Sequence, residues 1–202
     1  MQARMAATMA IHRWFEDYVF EVSDFLPTDR CDELIAQAER QQFEEATVNT
    51  AGGHLRRKNM RNNDRVISDD GKLSAELWAS VATFVPRTFK GRIASGLNER
   101  LRFYRYDPGQ KFDWHQDGYY ERENGERSQF TFMVYLNDGF GGGGTSFVDP
   151  HGRLFDPFTV VPKKGSALFF YHHLDHRGDE VTSSRKYVLR SDVMYALPGG
   201  TD

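Results

Sequence analysis

His115 and Asp117 stand two residues apart, His176 follows 59 residues after Asp117, and Lys186 comes ten residues later. Two imidazoles and one carboxylate form the facial triad that holds non-haem Fe(II) and leaves coordination positions open. In an extended strand, residues i and i+2 point to the same face, so His115 and Asp117 can both reach one metal. The third donor must then come from a distant element, and His172, His173 and His176 are the candidates, of which the adjacent His172 and His173 otherwise read as surface residues of a loop. A basic residue shortly beyond can hold the far carboxylate of a bound dicarboxylic acid. Lys186 would do so as a point charge and Arg190, four residues on, as a bidentate fork.

These residues need a rigid frame. From Leu101 onward the chain reads as short strands near 101–107, 112–117, 128–137, 145–148, 158–161, 166–171, 175–177 and 186–195. Eight short strands with Gly-rich turns predict a jelly roll. Gly141 to Gly144 reads as a turn, because no helix pattern follows to make it a phosphate cradle. Alternation points Trp114 away from His115, and so into the core. Upstream, residues 14–26 alternate around Tyr18, Phe20 and Val22 as an opening strand. A helix starts with Thr28 as N-cap and Asp29 in its first turn. It runs to about Gln42, with Cys31, Leu34, Ile35 and Ala38 on one face. A second helix covers about 72–85, carries Leu73, Leu77, Trp78, Val81 and Phe84 at helical spacing, and ends at Pro86.

Between the helices, 47–70 is polar and without clear period, a loop or an edge segment. Its charge run from Arg56 to Arg65 is either a solvated surface or a substrate-facing loop. A second polar segment, 118–127, follows Asp117 directly. Residues 48–65 of the first and 118–127 are expected to border the metal pocket, with Arg61, Arg65, Tyr119 and Tyr120 facing substrate.

The 202 residues suit one domain: an N-terminal extension (1–13), an opening strand with supporting helices (14–100) and a catalytic core (101–197). The net charge of −3, with both signs mixed, marks neither a nucleic-acid nor a membrane surface. The single cysteine, Cys31, excludes an internal disulfide and fits a reducing, cytoplasmic setting; its helical context makes it a buried, inert thiol. No hydrophobic run approaches the ~20 residues of a membrane span. Met5 to Ile11 is apolar but short, and reads as a frayed or locally docked N-terminus rather than a signal peptide.

Five motifs, in order, cover about half the chain from Leu101 to Tyr195. They are Tyr106 to Asp117 (YDPGQKFDWHQD), Tyr135 to Asp138 (YLND), Gly142 to Phe147 (GGGTSF), Pro162 to Gly165 (PKKG) followed by Ala167 to Phe170 (ALFF), and His176 with Val181, Lys186 and Tyr187. Together they resemble the 2-oxoglutarate/Fe(II)-dependent oxygenases, in particular the prolyl 4-hydroxylase catalytic-domain group. The resemblance implies a mainly β double-stranded β-helix (jelly roll, cupin-like) with N-terminal helices packed on one sheet. It selects His176 as the third ligand. It implies that Lys186 binds the C5 carboxylate of 2-oxoglutarate, with Arg190 as the alternative, and that the Tyr106 and Tyr135 hydroxyls contact the cosubstrate. Thr131, on the strand face of Tyr135, is placed at the pocket lining. The implied cofactors are Fe(II), 2-oxoglutarate and O2, with ascorbate as a further candidate. The implied reaction is C–H hydroxylation with release of succinate and CO2. The carboxylate at 117 favours this over halogenation, which would need that position open.

The substrate is expected to be a prolyl side chain in a protein or peptide, or else a small molecule, because one fold hosts many substrates. A non-catalytic metal or 2-oxoglutarate binder is the competing class; the complete triad and the cation argue against it. A His/Asp hydrolase finds no nucleophile elbow to support it.

Overall fold

The computed structural model describes residues 8–46, 48–50, 53–55 and 60–199, with backbone alone at 48–50 and 53–55. The chain opens with β1 (Ala10–Phe15), β2 (Val19–Ser23) and α1 (Thr28–Glu39). Short strands β3 (Glu44–Glu45), β4 (Val48–Thr50) and β5 (Gly53–Leu55) lead to β6 (Asp64–Asp69) and α2 (Gly71–Val81). Then follow β7 (Thr88–Phe89), β8 (Arg92–Leu97), β9 (Arg100–Tyr106), β10 (Phe112–His115), β11 (Arg127–Tyr135) and β12 (Gly141–Gly142). The last third carries β13 (Thr145–Val148), β14 (Phe158–Val160), β15 (Ala167–Tyr171), β16 (Asp175–Gly178), β17 (Val181–Ser183) and β18 (Lys186–Ala196).

The strands form a large sheet, ordered β1-β2-β15-β11-β18-β9-β6-β3 with β8 and β7 attached to β18, and a smaller sheet ordered β10-β16-β13-β14. Their facing surfaces make the double-stranded β-helix. Period-two alternation divides the large sheet's side chains between two cores. Phe130, Phe132, Val134, Ala167, Phe169, Leu189 and Val193 pack against Cys31, Leu34 and Ala38 of α1 and Leu73, Leu77 and Val81 of α2. The intervening Tyr135, Leu168, Phe170 and Val188 meet Phe147 and Val160 of the small sheet. Each fully buried Phe or Leu contributes about 1.5–3 kcal/mol. The apolar helix side thus anchors a sheet whose other face is free to carry polar chemistry.

Several expectations change. The opening strand is a hairpin, β1 paired antiparallel with β2, because Glu16 takes a positive φ of 43° and turns the chain there. Its first strand lies partly within the segment read as an N-terminal extension; residues 1–7 of that segment lie outside the described residues. Pro27, not Thr28, is the α1 N-cap, and it makes no side-chain cap bond. In α2, Asp70 caps instead, accepting from the Leu73 amide at 2.9 Å. α1 and α2 end at Glu39 and Val81, earlier than the expected ends near Gln42 and Val85. Within 47–70, residues 47, 51–52 and 56–59 lie outside the described residues, and Asp64–Asp69 is a strand pairing with β9 in full register. Gly141 and Gly142 pair with β17 rather than forming only a turn. Trp114 is 38% exposed, not core, with the Arg177 guanidinium 4.7 Å over its ring.

Candidate active site

β10 and β16 are antiparallel neighbours with His115 and His176 directly opposite one another. Asp117 lies just past the end of β10, where its amide donates to the His172 carbonyl at 2.9 Å. One donor atom from each of His115, Asp117 and His176 falls within a sphere of mutual distances up to 4.8 Å. His115 Nε2 stands 3.7 Å from Asp117 Oδ1, and His176 Nε2 stands 3.6 Å from Asp117 Oδ2. Both imidazoles are oriented from behind. Nδ1 of His115 is 2.7 Å from the Asp113 carbonyl, and Nδ1 of His176 is 2.9 Å from the Leu174 carbonyl. A carbonyl only accepts, so each Nδ1 carries the proton and each Nε2 presents its lone pair inward. Burial pushes His176 down to about 3, keeping it neutral as a ligand must be. Burial would raise Asp117, but Arg190 and the two histidines hold it well below the usual carboxylate range. The donor chemistry therefore fits Fe(II): two neutral nitrogens, one carboxylate and an open side.

The open side leads into a narrow inner cavity of about 40 Å³, lined among others by Tyr106, Thr131, Thr145, Lys186, Val188 and Arg190. Lys186, Val188 and Arg190 alternate on β18 and so share this face. Lys186 is 3% exposed and donates to the Gly143 carbonyl at 2.6 Å, between the rings of Tyr106 and Tyr135. Gly143 has φ +66°, and a Cβ there would crowd Phe140 at 2.8 Å and the Lys186 stem at 3.2 Å. The glycine run thus lets backbone approach the lysine, a role that no phosphate-loop reading would reveal. Burial pushes the lysine down to about 8, against the pull of Asp179. The Tyr135 hydroxyl pairs with Thr145 Oγ1 at 2.7 Å, and burial pushes Tyr106 up to about 12.

Arg190 behaves differently from Lys186. Its Nη2 lies 3.0 Å from Asp117 Oδ2 and 3.3 Å from Thr131 Oγ1, and Thr131 itself donates to Asp117 Oδ2 at 2.6 Å. Both residues therefore position the carboxylate. His172, read as a surface loop residue, is 1% exposed. Its ring bridges Ser128 Oγ (2.9 Å) and Thr131 Oγ1 (3.1 Å), and burial pushes it down to about 4. His173, next to it, lines the outer cavity.

Above the metal site the cavity widens to about 490 Å³, bordered by Met60, Arg61, Arg65, Arg102, Tyr119 and Tyr120 together with His115, Asp117 and Arg190. Both polar segments therefore reach this pocket. Arg61 is 6% exposed and bridges to Phe112, whose ring stacks on His115 at 3.5 Å. Tyr119 carries the Arg127 guanidinium on its ring, and Tyr120 is half exposed. Tyr104, Arg102, Asp192 and Phe112 were not singled out from the sequence. The first two lie two and four residues before Tyr106 on β9, so alternation from Tyr106 was the available signal.

Residues 101–191 match the family model of the 2OG-Fe(II) oxygenase superfamily. The matched stretch, 91 of the 202 residues, contains His115, Asp117, His176 and Lys186. The chain is similar to the prolyl 4-hydroxylase group. It is 29% identical over 189 residues to a probable prolyl 4-hydroxylase 6 of Arabidopsis thaliana, covering 79% of this chain and 60% of that protein. The chain thus spans less than two thirds of the length of this plant relative. The viral collagen prolyl hydroxylase of Paramecium Bursaria Chlorella virus-1, solved with 2OG, superposes with a TM-score of 0.60 at 23% identity, covering 89% of this chain and 97% of that one. A Trichoplax adhaerens prolyl hydroxylase, solved with a hypoxia inducible factor peptide fragment, gives 0.68 at 14% identity, covering 88% and 84%. These two likenesses establish the fold.

Proposed function

We propose that this protein is a 2-oxoglutarate- and Fe(II)-dependent dioxygenase that hydroxylates a C–H bond, with a prolyl side chain of a protein or peptide as substrate. The balance is 2-oxoglutarate + O2 + R–H giving succinate + CO2 + R–OH. The observation that carries this reading is that the donors of His115, Asp117 and His176 open into the same cavity as buried Lys186. Iron held there supplies a redox centre with open positions for 2-oxoglutarate and dioxygen.

The protein's own residues bind, orient and exclude. His115 and His176 offer Nε2 because the backbone fixes their Nδ1 protons. Arg190 and Thr131 keep Asp117 ionised and aimed. Lys186 exchanges the Gly143 carbonyl for the C5 carboxylate of 2-oxoglutarate, and a charge-assisted bond replaces a neutral acceptor. Aromatic walls from Tyr104, Tyr106, Phe112 and Phe170 keep water from the reacting atoms. The prolyl reading draws support from the likeness to the plant prolyl 4-hydroxylases. Among the described residues no helix is long and apolar enough to cross a membrane. A cytoplasmic setting goes with the lone Cys31, which is buried and pushed up to about 11 by that burial.

The test incubates the purified chain with Fe(II), 2-oxoglutarate and air, with ascorbate to keep the iron reduced. Candidate peptides and metabolites are screened for the mass of one added oxygen atom, matched by succinate. Succinate release that His176→Ala abolishes is expected. Release that is absent, or the same in His176→Ala, would overturn the reading.

A further inference from the structure

The outer cavity holds more positive charge than its own carboxylates answer. Four guanidiniums line it, those of Arg61, Arg65, Arg102 and Arg190, against two carboxylates, Asp117 and Asp192. Arg190 is matched by Asp117 at 3.0 Å and Arg102 by Asp192 at 3.2 Å. Arg65 lies within the pull of Tyr104 and Glu44. Arg61 differs in having no carboxylate partner among the described residues. Its Nε donates to Asn63 Oδ1 at 2.8 Å, and its guanidinium carbon sits 4.6 Å over the Tyr104 ring and 4.3 Å over the Phe112 ring. Its Nη2 is buried and has no hydrogen-bond partner among the described residues.

A buried guanidinium nitrogen without an acceptor is costly, and an entering anion that reaches it removes that cost. The two rings also hold the planar fork in one orientation, so little freedom is lost when a carboxylate arrives. The same excess of charge acts on Tyr104. Burial would raise its hydroxyl, yet Arg61, Arg190 and Arg102 bring it down to about 7. One open donor suits one carboxylate oxygen; a phosphate dianion would ask for more open donors than Arg61 offers.

We propose that the substrate presents a carboxylate to Arg61 at the mouth of the site, close to the carbon that is hydroxylated. This rests on the oxygenase reading above and narrows its substrate class. A carboxylate could belong to a small acid or to an acidic side chain flanking the reacting residue of a peptide.

The experiment uses the full chain loaded with Mn(II) and saturating 2-oxoglutarate, without oxygen, and measures binding by calorimetry. The probes are two matched pairs: N-acetyl-L-proline against its amide, and a blocked Asp-Pro tetrapeptide against its Asn-Pro counterpart. The carboxylate member of at least one pair is expected to bind about tenfold tighter or more. The pair that shows the gap identifies a small acid or a peptide side chain as the source. Arg61→Gln should shrink the gap to about threefold or less, and Arg61→Lys should retain part of it. Pairs that bind equally or not at all, while Mn(II) and 2-oxoglutarate still bind, would overturn this inference alone. So would an Arg61→Gln protein with the full gap. Loss of 2-oxoglutarate binding by the wild-type protein would overturn the oxygenase reading and this inference together.

Discussion

The inner end of the pocket and its mouth hold their cations in opposite ways. At the inner end a single lysine, Lys186, rests on a backbone carbonyl, with no carboxylate within ion-pair distance among the described residues. At the mouth, guanidiniums are matched to carboxylates or clamped between rings. A flexible point charge on a weak neutral acceptor is easily transferred to an incoming anion. A clamped planar fork is already aimed and discriminates by shape. Under the proposed function, the lysine end suits the cosubstrate, which must enter and leave at every turnover. The arginine end then suits the molecule to be oxidised.

The largest expected effect lies where the two ends meet. Asp117→Ala removes a metal donor and the partner of Arg190 at once. Metal binding measured by calorimetry should vanish, and thermal unfolding should show a loss of about 1–3 kcal/mol, because Arg190 keeps only Asp192, at 3.5 Å, as a carboxylate partner. Metal affinity close to wild type would break the account at its centre. Next comes Lys186→Ala. Loss of the cation beneath a buried carboxylate costs about 3–5 kcal/mol, so the 2-oxoglutarate constant should rise roughly a hundredfold or more while metal affinity holds. If Arg190→Ala carried that loss instead, the roles of the two cations would exchange.

A pH titration sharpens the same contrast. Burial lowers Lys186 to about 8, so it is cationic below that pH and neutral above it. Affinity for 2-oxoglutarate should be greatest below about pH 8 and fall as pH rises through it. The guanidiniums at the mouth keep their charge over this range. Flat 2-oxoglutarate affinity from pH 7 to 9 would argue against the lysine. The smallest effect belongs to Trp114→Ala. Its ring, 38% exposed, carries the Arg177 guanidinium, and denaturant unfolding should register a loss of about 1–2 kcal/mol from that contact and the partial burial, with turnover unaltered.

The core half of the fold was legible because its physics is local. Alternation in 128–137 and 186–195 places Thr131, Lys186 and Arg190 on one face, as β11 and β18 do. The His115/His176 pairing was legible only as a requirement for a distant donor; which strands meet is set by the topology of the small sheet. The misreadings share one cause, the partners that long-range packing supplies. Trp114 alternates as expected, but the face it points to meets solvent and Arg177. His172 sits in a polar stretch, yet Ser128 and Thr131 from β11 enclose it. Asp64–Asp69 lacks apolar period because one of its faces borders the charged mouth, while its backbone pairs with β9. Arg61 borders the cavity, and its burial between two rings depends on contacts that no local pattern encodes.

The central claim is that 2-oxoglutarate binds on Fe(II) at the lysine end, with the arginine mouth left for substrate. An anaerobic titration of the Fe(II)-loaded chain with 2-oxoglutarate, followed by the visible absorption of the chelate, tests it directly. The account predicts a band in the wild-type protein, a midpoint raised roughly a hundredfold or more in Lys186→Ala, and a shift of about threefold or less in Arg61→Gln. A Lys186→Ala titration superimposed on that of the wild type, or no band in the wild type at any concentration, would contradict it.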